Sequence, residues 1–360
     1  MRVACHAGQL LQPVPGGIGR YVIELCNRVP DAGVDVIAFG AGPRPRHAPA
    51  RVPWIDLGRP SGSTRYELWN RVRHPIVHID ADIVHAPSLA VPPVAETPLV
   101  VTVHDVAFLR MPDNTTRRGA AFHRRSLERA RREATLVLTP SEFTRRELLC
   151  EGFAPDNVVV TPLGVHPVQA RAGDEIDAVL GQLHVDAPFL LTVGTVEPRK
   201  DLPTIVAAYE RLRRSHPELE LLVVGPPGWG DVDGIDRPGV RIMGRLPWIA
   251  VDALYRRAAA CVVASRYEGF GLPALEALAA GTPLAAADGS SLTEVVGDAG
   301  VLFPPGDVDA LFDALVSMLD DDELRARLQQ RGPAQAATMT WDASIAAHVE
   351  AFRTVARRAN

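Results

Sequence analysis

"SRYEGFGLPALEALAAGTP", residues 265–283, changes character half-way along. Its first part is polar and glycine-rich, and its second is a leucine- and alanine-rich run of helical composition. It continues "ACVVAS", an apolar run of the length and type of a buried strand. Strand, glycine turn and helix in that order make one βα unit of a parallel sheet. Pro273 suits the first helical position, which places Glu276 in the first turn, and Gly281 suits the left-handed residue that ends the helix. Glu268 stands ahead of the turn, with seven residues between the two glutamates.

The same alternation extends in both directions. Upstream, "RVAC" precedes the glycine-rich loop "PGGIGRY", and "VDVIAFG", "ADIVHA", "PLVVTVHD" and "TLVLTPS" follow. After residue 187 the pattern restarts with "PFLLTVG", a helical stretch, "LELLVVGPP", "GVRIMGRL" and "ACVVAS". Runs of this kind read as strands buried on both faces, with helices between them. The expected fold class is α/β, with two Rossmann-like doubly wound domains facing across a cleft. Their expected bounds are 1–166 and 187–340, joined through the polar residues 164–187. Trp341 opens a last amphipathic segment, 341–360.

Composition is that of a globular protein: 47% hydrophobic and 22% charged over 360 residues, net charge −5. The first half is the more basic and the second the more acidic, which suggests different partners. The N-terminus has no long apolar block or small-residue cleavage site, and no stretch reaches the ~20 apolar residues of a membrane span. Four dispersed cysteines without a C-x-x-C pair argue against a disulfide framework or structural zinc. A cytoplasmic protein is expected, with no nucleic acid among its partners.

Ligands of open α/β sheets bind outside the carboxyl ends of the strands. This directs attention to residues 16–19, 104–105, 197–200, 225–227 and 268–272. In "EGFGL", glycines let backbone N–H groups approach a ligand, and a helix N-terminus lies behind them, an arrangement suited to phosphate. Carboxylates accept hydrogen bonds from hydroxyls. A diphosphate flanked by two sugars, a nucleotide sugar, would use Glu268, the amides and Glu276 together. Lys200, the only lysine in an arginine-rich chain, stands beside Arg199 after another strand, and the two cations form a plausible diphosphate clamp. Plainer readings exist for each: Glu276 as a helix cap, Arg199 and Lys200 as surface cations, His104 as a capping or core histidine.

"EGFGLPALEALAAGTP" resembles the E-x7-E motif of the family-4 retaining glycosyltransferases of GT-B fold. "GGIGRY" is similar to that family's N-terminal glycine loop, "VGTVEPRKDL" to its basic donor-phosphate motif, "HDV" to its histidine segment and "SLTEVVGDAGVLFPPGD" to its usual continuation. The resemblance implies that Glu276 holds the donor ribose and Glu268 the transferred sugar. Gly269, Phe270, Gly271 and Leu272 would give backbone contacts to sugar and phosphate. Lys200 and Arg199 would neutralise the diphosphate, and Gly16 and Gly17 would close over it. Met243 and Leu246 would face the base, and His104 the sugar or phosphate. Thr195 stands where many relatives have an arginine, a role Arg199 could take over. The last segment would return to the N-terminal domain.

Asp80–Asp82, "DAD", imitates a metal-binding D-x-D but precedes a strand, the wrong end for a ligand, so no metal and no cofactor are expected. A glycoside hydrolase would not need the diphosphate clamp. A phosphorylase of the same fold and a non-catalytic nucleotide-sugar-binding protein are the alternatives. The basic run "HRRSLERARRE" reads as a solvated helix face or as contact with an anionic membrane surface, the latter helped by Tyr66 and Trp69 in "RYELWNRVRH". That would place the protein at the inner face of the membrane. "GTVEPRKDL" resembles mannosyltransferases of polysaccharide assembly, a resemblance that implies GDP-mannose rather than UDP-sugars as donor, and the expected acceptor is a glycan, lipid-linked or small-molecule hydroxyl.

Overall fold

Runs of Val, Ile, Leu and Ala form two parallel sheets in a computed structural model that describes residues 1–112, 115–166, 172–186, 188–228, 230 and 232–359. The chain divides into two units, Met1–Gly164 with Trp341–Asn360, and Val165–Thr340. Residues 167–171 and 187, in the expected junction, lie outside the described residues.

The first unit contains β1 (Arg2–His6), α1 (Gly16–Arg28), β2 (Asp35–Gly40), β3 (Trp54–Asp56), α2 (Gly62–Val72), β4 (Ile83–Ala86), β5 (Leu99–Thr102), α3 (Ala107–Arg110), α4 (Arg117–Glu133), β6 (Leu136–Thr139), α5 (Glu142–Cys150) and β7 (Val158–Val160). Its seven strands lie in the order β3-β2-β1-β4-β5-β6-β7. The second unit contains α6 (Gly173–Gln182), β8 (Phe189–Val193), α7 (Leu202–Leu212), β9 (Glu220–Val224), β10 (Val240–Gly244), α8 (Trp248–Arg257), β11 (Ala260–Val263), α9 (Leu272–Ala279), β12 (Leu284–Ala287), α10 (Leu292–Val296), β13 (Val301–Phe303), α11 (Val308–Asp320) and α12 (Asp322–Ala336). Its six strands run β10-β9-β8-β11-β12-β13. The last helix, α13 (Trp341–Ala359), belongs to the first unit and buries Trp341, Phe352 and Val355 there.

Central strands such as β4, β5, β6 and β11 are buried along their whole length, as parallel strands covered by helices must be. Strand β10 departs from that expectation. It forms a sheet edge and leaves Ile242 53% exposed. The sequence pattern passes over β3, β7 and β13, each three residues long, and the alanine-rich β12, because runs so short or so poor in β-branched residues carry little strand signal.

Three local expectations change. "GGIGRY" is the first turn of α1 rather than a loop. Trp69 and Arg65 are buried, with Arg65 donating to Pro60 O, Leu57 O and Gly58 O, so this stretch presents no tryptophan to a membrane. In α4, Arg118 and Arg125 pair with Glu67, Arg129 with Glu133, and Arg131 and Arg132 with Glu128, which neutralises much of its basic face.

Candidate functional site

In the second unit the sheet order reverses direction between β8 and β11. The loops leaving the carboxyl ends of those two strands part to opposite sides, and such a switch point opens a crevice for ligand. The β8 loop carries Glu197, Arg199 and Lys200, and the β11 loop carries Ser265, Arg266 and Glu268. The two loops are laced together by charge. Lys200 Nζ donates to Glu268 Oε1 at 2.5 Å, and Arg199 Nη1 donates to Glu268 Oε2 at 3.0 Å. Arg266 Nε donates to Asp201 Oδ2 at 3.0 Å, and the Arg266 amide donates to Arg199 O at 3.0 Å.

Glu268 is buried, which by itself pushes its carboxyl up. The charges of Lys200 and Arg199, with hydrogen bonds from Lys200 and Ser265, outweigh that burial and hold it down at about 2. Glu268 is therefore an anion at neutral pH.

Arg199 is engaged on all sides. Its Nε and Nη2 meet Glu197 Oε1 at 3.0 and 2.7 Å, and its Nη1 also donates to Tyr267 O at 2.6 Å. A guanidinium so committed ties loops together more readily than it receives a phosphate. Lys200 is tethered through one carboxylate, and its stem lies over Gly194, where an added Cβ would stand 3.3 Å from Lys200 Cε. A side chain at 194 would crowd that stem by a few tenths of an ångström.

Helix α9 starts one residue earlier than the proline suggests. Gly271, at φ +99°, makes the left-handed turn that a side chain would resist, and Leu272 is the first helical residue. Pro273 is therefore second, and Glu276 falls beyond the first turn, so the first-turn placement is corrected. Glu276 is buried and accepts a hydrogen bond from Tyr255 Oη at 3.1 Å, where Tyr255 comes from α8. Gly281, at φ +72°, ends the segment as expected. Leu275 and Leu278 anchor α9 from below, each burial contributing roughly 1.5–3 kcal/mol.

A third loop closes on Glu268 from β12. Ser291 Oγ donates to Glu268 O at 2.8 Å. Tyr255 and Ser291 were not among the residues singled out from the sequence, and Glu197 fell inside the strand-end window 197–200 without being given a role. Only Glu197 had a local signal, two positions before Arg199.

Gly269, Phe270 and Leu272 line the turn between the glutamates, with Phe270 buried. Met243 and Leu246 flank Gly244, where β10 slips register against β9. The remaining candidates belong to the first unit. Gly16 and Gly17 are exposed at the start of α1. His104 follows β5 and donates from Nε2 to Pro87 O at 2.9 Å, so Nδ1 carries the lone pair. Burial lowers its pKa against opposing effects from Pro87 and Asp105, which favours the neutral ring. Asp80 and Asp82 hold Arg2 at the amino end of the sheet. Among the described residues no group of three His, Cys, Asp or Glu side chains is placed to hold a metal ion. Among the described residues no helix is long and apolar enough to cross a membrane.

Two family profiles divide the chain: Glycosyltransferase Family 4 matches residues 15–169, and Glycosyl transferases group 1 matches residues 181–335. O-antigen chain mannosyltransferase B of Escherichia coli is 32% identical over 75% of this chain and 74% of its own. Phosphatidyl-myo-inositol mannosyltransferase of Mycolicibacterium smegmatis is 27% identical over 95% of this chain and 91% of its own. The structure of Anabaena HepE in complex with UDP and glucose shares the fold, with TM-score 0.76 at 18% identity over 98% of this chain and all of that one. The chain belongs to the group 1, family 4 glycosyltransferases: retaining enzymes of GT-B fold that transfer a sugar from a nucleotide sugar.

Proposed function

We propose that this enzyme transfers mannose from GDP-mannose to a hydroxyl of a glycan, a lipid-linked sugar or a small molecule. The reading of donor sugar is supported by the names of the two mannosyltransferases it resembles. The reading of the site rests on one observation: Glu268 bridges Lys200 and Arg199 at the switch point of the second sheet.

Lys200 is the cation that meets the donor diphosphate, and the N-terminus of α9 adds its dipole. Arg199, held by Glu197 and Tyr267, fixes the Glu268 carboxylate in place. Glu268 faces the transferred sugar, and Glu276, oriented by Tyr255, receives the ribose hydroxyls. His104, Gly16 and Gly17 are proposed as donor contacts on the strength of the family resemblance, and Met243 and Leu246 as neighbours of the base.

Retention follows from how the carboxylates are used. With Glu268 bound to two cations and Glu276 to Tyr255, neither is a ready base for back-face attack. The departing diphosphate oxygen takes the proton of the attacking hydroxyl on the same face. The bond from the sugar to that oxygen breaks as the new glycosidic bond forms, and Lys200 stabilises the charge left behind. No metal is required by this arrangement. A donor panel tests the proposal: GDP-mannose should stabilise the protein thermally and yield an α-linked product by proton NMR. Turnover confined to UDP-sugars would overturn the choice of donor.

A further inference from the structure

Two adjacent serines in the β12 loop break the local rules of the chain. Ser291 stands at the N-cap of α10, where a serine hydroxyl ordinarily accepts from the helix's own N–H groups. It makes no such bond. Instead it is completely buried and gives its hydroxyl to the Glu268 carbonyl at 2.8 Å, while its amide approaches the same oxygen at 3.4 Å. Ser290 is held at φ +63°, a left-handed conformation uncommon outside glycine, asparagine and aspartate, and its buried hydroxyl has no partner. A forgone cap, a strained residue and an unpaired hydroxyl each cost stability, and such costs gather where function fixes the backbone. All three fall in the segment that holds the main-chain carbonyl of Glu268, the residue whose carboxylate bridges Lys200 and Arg199.

We propose that Ser291 is a positioning residue of the transfer reaction. Its hydroxyl fixes the Glu268 carbonyl and so sets where the Glu268 carboxylate stands between Lys200 and Arg199. The β11 loop is pinned from the β8 side by ion pairs to the Glu268 side chain and from the β12 side by Ser291 to its main chain. Each anchor comes from a strand adjacent to β11 in the sheet. Without the Ser291 anchor, the carboxylate still pairs with the cations but no longer at one height relative to the transferred sugar. This inference rests on the reading that Glu268 acts on the donor.

The experiment uses the full chain with the best donor from the panel and compares Ser291→Ala, Ser291→Thr and Glu268→Gln. Loss of one such hydrogen bond should lower kcat about tenfold, with donor KM changed less than about threefold. Ser291→Thr, which keeps the hydroxyl, should restore most of the loss. In a Glu268→Gln background, adding Ser291→Ala should cost less than about twofold, because coupled residues are not additive. Wild-type kcat in Ser291→Ala, or an undiminished further loss on top of Glu268→Gln, would overturn the inference. Full turnover in Glu268→Gln alone would instead overturn the reading of Glu268. If Ser291→Ala does not fold, the contrast between Ser291→Thr and Ser291→Cys carries the same comparison, the cysteine being expected to behave as the alanine.

Discussion

Lys200 and Glu268 form a part-buried ion pair, 2.5 Å from Nζ to Oε1, between the loops that follow two neighbouring strands. Together with Arg199 it makes a carboxylate the centre of a cationic pocket. Glu268→Gln leaves Lys200 without its counter-charge and Arg199 with Glu197 alone, and should cost about 2 kcal/mol, below the ~3–5 kcal/mol of breaking a fully enclosed pair. The cost depends on pH in a determined direction. Glu268 sits at about 2 in the folded protein against an ordinary 4.5. Its stabilising contribution is complete above pH 4.5 and disappears as pH falls toward 2. The melting-temperature gap between wild type and Glu268→Gln should therefore close on acidification; a gap that stays constant would contradict the pairing.

Tyr255→Phe removes the hydroxyl that orients Glu276 while leaving the ring buried in α8. Its cost to nucleotide affinity should be about 1–2 kcal/mol, a five- to thirtyfold rise in Kd. Calorimetry with GDP checks it, and an unchanged Kd would detach Tyr255 from the ribose reading.

His348 of α13 titrates the first unit. Its Nδ1 donates to Ser344 O, and its Nε2 accepts from Tyr21 Oη at 2.6 Å. Thr102 in turn donates to Tyr21 and accepts from His85. Burial lowers His348 to about 4 and His6 to about 3, with His85 also well depressed. Such groups stabilise the fold fully above pH 6.5, and that contribution is lost as pH falls toward their folded values. Stability should drop steeply between pH 6.5 and 4, and His348→Gln should remove about one proton from the slope. Denaturant melts across that range give the slope; an identical slope in the variant would show that His348 is not a buried neutral base.

Transfer should persist in excess EDTA, because Lys200 and the α9 N-terminus carry the electrostatic stabilisation of the leaving group in this account. Activity abolished by EDTA and restored by Mg²⁺ would reassign that task to a metal.

The alternation of apolar runs with helical stretches was enough to read the central strands of both sheets, because parallel strands buried on two faces are rich in apolar, β-branched residues, whereas β3, β7, β12 and β13 carried too little of that signal. The two glutamates and Lys200 were legible for a different reason: glycines, a lone lysine and strand ends coincide in short windows. What stayed hidden depends on distant partners. Tyr255 reaches Glu276 across 21 residues, and Ser291 reaches Glu268 across 23. Arg199 looked like a second phosphate ligand because its engagement by Glu197 and Tyr267 exists only in the folded loop. The basic run in α4 admitted a membrane-contact reading for the same reason, since Glu67 meets two of the helix's arginines from another helix.

The central claim is that Lys200 meets the donor diphosphate and that Glu268 holds this ammonium in its absence. Isothermal titration of GDP and UDP into wild type, Lys200→Ala and Glu268→Gln tests it most directly. Lys200→Ala should weaken binding by about 1.5–3 kcal/mol, while Glu268→Gln, which frees the cations from a competing carboxylate, should bind as tightly as wild type or tighter. Unchanged affinity in Lys200→Ala, or a loss in Glu268→Gln as large as the lysine's, would contradict the account.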